Sequence, residues 1–179
     1  MADAVGAREA RLGLTEGRDG SEASEEDLAR ALKLWVVLAR AHDSVQKLVE
    51  ADISRHGLTT GEFGALEALY HKGPLLLSQL QQKILLSSGG ITYVVDRLQK
   101  KGLVTRRPCP RDRRATYAEI TDEGRARMDR IFPLHARAVS RALGGLEPGE
   151  QEKVVRLLRD LGHHAASLDP APPADDETD

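Results

Sequence analysis

The sequence predicts a mostly α-helical fold with one small β-hairpin, and three observations carry that prediction. Apolar residues recur at three- and four-residue spacing through most of the stretch from residue 25 to residue 166. Breakers separate those stretches, at Gly57, Gly73-Pro74 and Gly102. The exception is "LVTRRPCPRDRRATYAEI", Leu103 to Ile120, where two short β-prone runs flank an arginine-rich segment. At 179 residues and 40% hydrophobic content, the chain suits one domain with a core of ordinary size.

Residues 1–24 are rich in Gly, Ala, Glu and Asp without periodicity, and "SLDPAPPADDETD", residues 167–179, is acidic and Pro-rich. Both are expected to be disordered tails. The N-terminal stretch lacks the apolar run of a signal peptide, and no run approaches the roughly 18 apolar residues that a membrane span needs. A cytoplasmic protein with no membrane partner is expected. A lone cysteine, Cys109, excludes an internal disulfide and a cysteine-rich zinc site, and fits a reducing compartment.

The first helix is expected from about Glu25 to Ser54. Leu28, Leu32, Trp35, Leu38, Val45, Leu48 and Val49 form its stripe, and Leu34, Val36 and Val37 widen it beyond what one side of a small domain can cover. Such a helix is either the central core helix of a monomer or one whose N-terminal half packs on another chain. The second, "TTGEFGALEALYHKG", has Thr59 or Thr60 as N-cap and places Phe63, Leu66, Leu69 and Tyr70 at helical spacing before Gly73-Pro74 stops it. A short third helix starts at Ser78, with Leu80 and Ile84 inward.

The fourth helix, "SSGGITYVVDRLQKKG", is capped by Ser87 or Ser88. It turns Ile91, Val94, Val95 and Leu98 to the core, and Gly102 closes it at C′. Its other face carries Ser88, Thr92, Tyr93, Asp96, Arg97 and Lys100, side chains able to bond base edges or phosphates. Gly89 and Gly90 each cost about 1 kcal/mol of helix stability. Close backbone approach to a neighbour or phosphate explains them as well as a tight loop does. Past the hairpin, Thr121 caps a helix with Asp122 and Glu123 in its first turn and an expected kink at Pro133. A last helix opens near Pro148, with Val154, Leu157, Leu158 and Leu161 on one side.

Charge is unevenly spread. From Asp96 to Arg114 eight basic residues stand against Asp96 and Asp112, a balance of +6, whereas the whole chain carries -2, leaving about -8 elsewhere. One surface therefore faces a polyanion, unless the hairpin is merely a solvated charged loop. Two short helices, the second polar outward, followed at once by a β-hairpin, make a helix-turn-helix with a wing. The polar helix suits a major groove, and an arginine-bearing hairpin suits the adjacent minor groove.

"LSQLQQKILLSSGGITYVVDRLQKKGLV" and "RRPCPRDRRATYAEITDEG" together resemble the MarR family of bacterial transcription regulators, over roughly residues 27–166. The D-R-L ending, the K-G-L that leads into the wing, the D-R-R tip and the T-x-x-G exit carry the likeness, with Ile120 where the family usually has Leu. The resemblance implies a homodimer with dimerisation helices at 25–56 and 121–166 and a DNA-binding lobe at 59–120, on a pseudo-palindromic operator. It implies Thr92 and Tyr93 toward bases, Ser88 and Arg97 toward phosphate, and Arg114 in the minor groove, with Arg111 and Arg113 beside it and Asp112 holding the Arg114 side chain. Gly89, Gly90 and Tyr93 depart from the family pattern, so the operator sequence does not follow from it.

The resemblance also implies a small-molecule effector, phenolic or otherwise aromatic, in a cleft for which Trp35, His42, Phe63, Tyr70, Phe132 and His135 are the candidates. Large rings at helical spacing are equally at home in a plain core. Cys109, between Pro108 and Pro110 and beside Arg107 and Arg111, suits either a redox switch or an inert exposed thiol. No metal-ligand spacing joins the six histidines, and no catalytic motif appears, so neither cofactor nor enzyme activity is expected. The expected function is a ligand-released repressor. The alternatives are a redox-responsive regulator switched at Cys109 and a winged-helix protein-protein interaction module.

Overall fold

A computed structural model describes residues 24–84, 88–110 and 112–168, apart from the side chains of Ser88 and Arg113. Of the predicted tails, residues 1–23 and 169–179 lie outside the described residues. The described chain runs α1 (Glu25–Arg55), α2 (Thr60–Lys72), β1 (Leu75–Leu76), α3 (Leu77–Ile84), α4 (Ser88–Lys100), β2 (Val104–Cys109), β3 (Asp112–Ile120), α5 (Asp122–Ala142) and α6 (Pro148–Ser167). It divides into two units, one ending at His42 and the other beginning at Asp43.

The first unit, as far as it is described, is the N-terminal part of α1. Ser24, expected in the tail, caps it. Its hydroxyl accepts from the Asp27 N–H at 3.2 Å and donates to the Asp27 carboxylate at 2.8 Å, and three acids in the first turn suit the helix dipole. Leu28, Leu32, Leu34, Trp35 and Val37 are all exposed.

The second unit holds the core. Thr59 caps α2 in a reciprocal box with Glu62, and Phe63, Leu66 and Leu69 pack inward from that helix. Leu80 of α3 and Ile91, Val94, Val95 and Leu98 of α4 complete its centre, the four predicted core positions of α4 being buried. Ile84, expected inward, is only half-buried. Gly102, at φ 73°, ends α4 in the left-handed conformation while Leu103 N–H reaches back to the Leu98 carbonyl.

The hairpin acquires a third strand that the sequence reading missed. The order is β1-β3-β2, all antiparallel, with Leu75 and Leu76 opposite Ala118 and Tyr117, and Val104 opposite Ile120. Leu75 and Leu76 thus anchor the wing to the start of α3. At the wing's base Thr121 accepts from Gly124 N–H at 3.0 Å and donates to the Gly102 carbonyl at 2.7 Å, closing the strands there. Gly124 is required there: a Cβ would lie 2.2 Å from the Leu103 carbonyl oxygen.

α5 continues through Pro133 as one helix. Along α6 no residue is buried, and Val155, Leu157, Leu158 and Leu161 are exposed. No described helix is long and apolar enough to cross a membrane.

Candidate nucleic-acid interface

With its apolar face in the core, α4 presents Thr92, Tyr93 and Lys100 outward; Tyr93 is 61% exposed. Arg97 is partly engaged. Its Nε donates to the Glu62 carboxylate at 2.9 Å and one terminal nitrogen donates to the Tyr93 hydroxyl at 3.2 Å, with the guanidinium carbon 5.7 Å from the Tyr93 ring centre. Expected to meet phosphate, Arg97 keeps only its remaining N–H groups for that purpose. The same contacts raise its pKa, the Tyr93 bond first and the Glu62 bond next.

Glu62 is the residue that sequence reasoning overlooked. Its carboxylate is fully buried, yet it receives Arg97 on one oxygen and, on the other, Lys101 at 2.8 Å and the Thr59 N–H at 2.8 Å. Lys101 also donates to the Gly57 carbonyl at 2.9 Å, tying the C-terminus of α4 to the α1–α2 turn. Burial works against ionisation of Glu62, but the bonds from Lys101, Thr59 and Arg97 and the charge of Lys101 outweigh it, holding the carboxyl below its ordinary 4.5. The visible signal was T-x-x-E ahead of an apolar run. That motif announces the cap and says nothing of two cations arriving from residues 97 and 101.

The wing repeats the pattern. Arg106 pairs with Asp96 and donates to the Thr92 carbonyl at 3.3 Å, fastening β2 to α4. Arg107 lies 3.6 Å from the Glu119 carboxylate and over the Tyr117 ring. Half of the eight basic residues, namely Arg97, Lys101, Arg106 and Arg107, therefore meet acids of this same chain. Once Glu62 and Glu119 are counted in, the balance of +6 falls to +4.

Asp112 departs from expectation: it accepts from the Arg114 main-chain N–H at 2.9 Å rather than from the guanidinium. An aspartate two residues before the N–H it binds is a compact local turn contact, and it shapes the strand where Cys109 and Asp112 pair across a bulge. The Arg114 side chain is exposed. Arg111, and the side chains of Ser88 and Arg113, lie outside the described residues.

The MarR family model matches residues 56–115, from the α1–α2 turn to the wing. A Bacillus subtilis relative, the uncharacterized HTH-type transcriptional regulator YkoM, is 41% identical over 145 residues, covering 81% of this chain and 94% of that one. The chain belongs to the MarR family of winged helix-turn-helix transcriptional regulators. Sco3205, a MarR family regulator of Streptomyces coelicolor whose structure was solved with DNA, aligns at a TM-score of 0.70 and 25% identity, over 87% of this chain and 96% of its own. BpsR of Bordetella bronchiseptica, whose DNA binding is regulated by 6-hydroxynicotinic acid, aligns at 0.67 and 26% identity, over 73% and 98%. The MarR family comprises transcriptional regulators rather than enzymes, and this chain is one of its members.

The MarR reading named a set of ring residues for an effector, and those of the second unit fall into two clusters. Phe63, only 2% exposed, is core, its ring centre 4.3 Å from that of His135, which in turn bonds Asp52 at 3.0 Å. Tyr70, His71 and Phe132 form a second cluster, His71 standing 4.8 Å from Phe132 and the Tyr70 hydroxyl donating to Asp129 at 2.6 Å. That bond raises the Tyr70 pKa. Trp35 and His42 are exposed residues of the first unit. No described cluster of His, Cys, Asp and Glu could hold a metal.

Proposed function

We propose that this chain is a cytoplasmic, homodimeric repressor that reads a pseudo-palindromic operator and is released by a small ligand. The observation that carries the reading is the double bond of wing to recognition helix. Arg106 joins Asp96 and the Thr92 carbonyl, so the exposed Thr92 and Tyr93 and the Arg-bearing hairpin belong to one surface. In this reading Thr92 and Tyr93 face bases in the major groove, Ser88 and Arg97 meet phosphate, Arg114 enters the minor groove, and Arg111 and Arg113 belong to the same DNA-binding set.

Homodimerisation is supported by the apolar residues that α1 and α6 leave in water, among them Leu32, Trp35, Val155 and Leu157. The two lobes of such a dimer address half-sites about 10 bp apart. Release by a ligand draws its support from BpsR.

Fluorescence anisotropy on a genomic fragment selected by the protein, across a series of salt concentrations, tests the DNA reading. Log affinity falls linearly with log salt, at about -0.9 per neutralised phosphate. A flat salt response assigns the wing to another partner. Sedimentation equilibrium tests the dimer, and a monomer at micromolar concentration refutes it.

A further inference from the structure

Tyr93 stands at the outer end of a run of contacts that begins in the core. The buried Glu62 carboxylate accepts from Arg97 Nε at 2.9 Å, and a terminal nitrogen of the same guanidinium donates to the Tyr93 hydroxyl at 3.2 Å. Arginine carries donors only, so the hydroxyl oxygen is the acceptor of that bond. A phenol oxygen has one proton and one good lone pair in the plane of its ring. With the lone pair taken by Arg97, the proton is what the hydroxyl turns outward. A free tyrosine rotates its hydroxyl to give or to accept; Tyr93 is restricted to giving.

The restriction is built in before DNA arrives. Lys101 and the Thr59 N–H fix the other oxygen of Glu62, each at 2.8 Å, so the carboxylate that aims Arg97 is itself held. Arg97 and Tyr93 are neighbours on one face of α4, with the guanidinium carbon 5.7 Å from the ring centre. The rest of the Tyr93 side chain is free, and the residue is 61% exposed.

We propose that Tyr93 reads thymine, its hydroxyl donating to O4 while the ring edge lies against the C5-methyl group. In the major groove cytosine offers only its N4 amine, a donor that would meet another donor here. Guanine and adenine offer acceptors with no apolar group beside them. Thymine alone sets an acceptor and a methyl side by side, which is the complement of a donor at the tip of an exposed apolar ring. Glu62 and Arg97 are positioning residues for this contact, acting through the hydroxyl. The assignment rests on the operator-binding reading above and adds to it one base that the operator must contain.

Fluorescence anisotropy with duplexes in which each thymine of a half-site is replaced in turn tests the contact. Uracil removes the methyl and keeps O4, whereas 5-methyl-2-pyrimidinone keeps the methyl and lacks O4; both leave the partner adenine in place. In the parent, one thymine of the half-site is expected at which either replacement weakens binding about fivefold or more. In Tyr93→Phe the loss of O4 should cost nothing at that thymine, while the uracil penalty remains. Arg97→Met, in which Lys101 still holds Glu62, should shrink the O4 penalty as the hydroxyl regains its rotation. A contact of Arg97 with phosphate alone would weaken all duplexes equally and leave that penalty at its parental size, which overturns the positioning role. A parent with no thymine sensitive to both replacements, or an undiminished O4 penalty in Tyr93→Phe, overturns the proposal. If the selected duplex is bound in preference to random DNA and these ratios do not move, the operator reading stands and the thymine assignment alone falls; if no duplex is preferred, both fall.

Discussion

Replacing Glu62 by Gln keeps the shape of the side chain and removes its charge, so it isolates what the buried carboxylate does. Two charge-assisted bonds, from Arg97 and Lys101, lose their ionic partner. Such bonds contribute about 1.5–3 kcal/mol each. Arg97 and Lys101 are 40% and 28% exposed, so water recovers part of that once they are released. A net loss of about 2–3 kcal/mol is expected, read as a fall of roughly 5–10 °C in Tm. The pH dependence supplies a second signature. Because the folded-state pKa of Glu62 lies below 4.5, its contribution is complete above that value and is lost as pH falls through the lower folded value. The parent should therefore lose stability on acidification more steeply than Glu62→Gln, measured by urea unfolding at several pH values. Specific DNA binding should suffer more than binding to random DNA, since Arg97 and the Tyr93 hydroxyl lose their fixed placement. A variant within about 0.5 kcal/mol of the parent, with an identical acid limb, would falsify the account of the clamp.

Arg114→Ala should weaken operator binding at least tenfold while leaving Tm and self-association unchanged, because the side chain is exposed and only its main-chain N–H serves the fold; anisotropy and calorimetry check the two halves. Alanine at Thr92 or Tyr93 should cost about 1–3 kcal/mol of discrimination per lost base contact, and equal losses on operator and random DNA would reassign those side chains to the backbone. Gly124→Ala should destabilise by about 1–3 kcal/mol in urea unfolding, since the methyl would meet the Leu103 carbonyl oxygen and Ile120; parental stability would mean that the T-x-x-G closure is looser than it looks.

Local signals made most of the fold legible. The caps at Thr121 and at Thr59, one of two candidates there, the left-handed Gly102 and the 3.6-residue spacing of Ile91, Val94, Val95 and Leu98 each act within a few residues, and each agrees with the pattern. What escaped was non-local. Leu75 and Leu76 resemble any apolar approach to a helix, and only their pairing with Tyr117 and Ala118, some forty residues on, makes them a strand. The arginine cluster was plain as composition, but its internal partners were not: Glu62 stands 35 and 39 residues before the cations it binds. The exposed apolar face of α1 was likewise visible as a stripe too wide for one small domain, and that of α6 as Val154, Leu157, Leu158 and Leu161 on one side.

The pairing of half the basic cluster alters what that cluster is for. A cation already bonded to its own carboxylate adds less to non-specific attraction for phosphate than a free one, because the carboxylate repels the same polyanion. In exchange, its side chain is ordered before DNA arrives, which spares the loss of rotamer freedom that binding otherwise exacts. Arg97 places the Tyr93 hydroxyl, and Arg106 fixes the wing against the main chain at Thr92. The two contacts of Arg106, with Asp96 and with the Thr92 carbonyl, set the angle between helix and hairpin, and a duplex tolerates little error in that angle when both grooves are read at once. The exposed Lys100 and Arg114 then remain to supply attraction, while the paired cations supply geometry. Discrimination among sequences therefore depends more on Glu62, Asp96 and Glu119 than the positive charge of the region suggests, and removing any of these acids should raise affinity for random DNA relative to the operator.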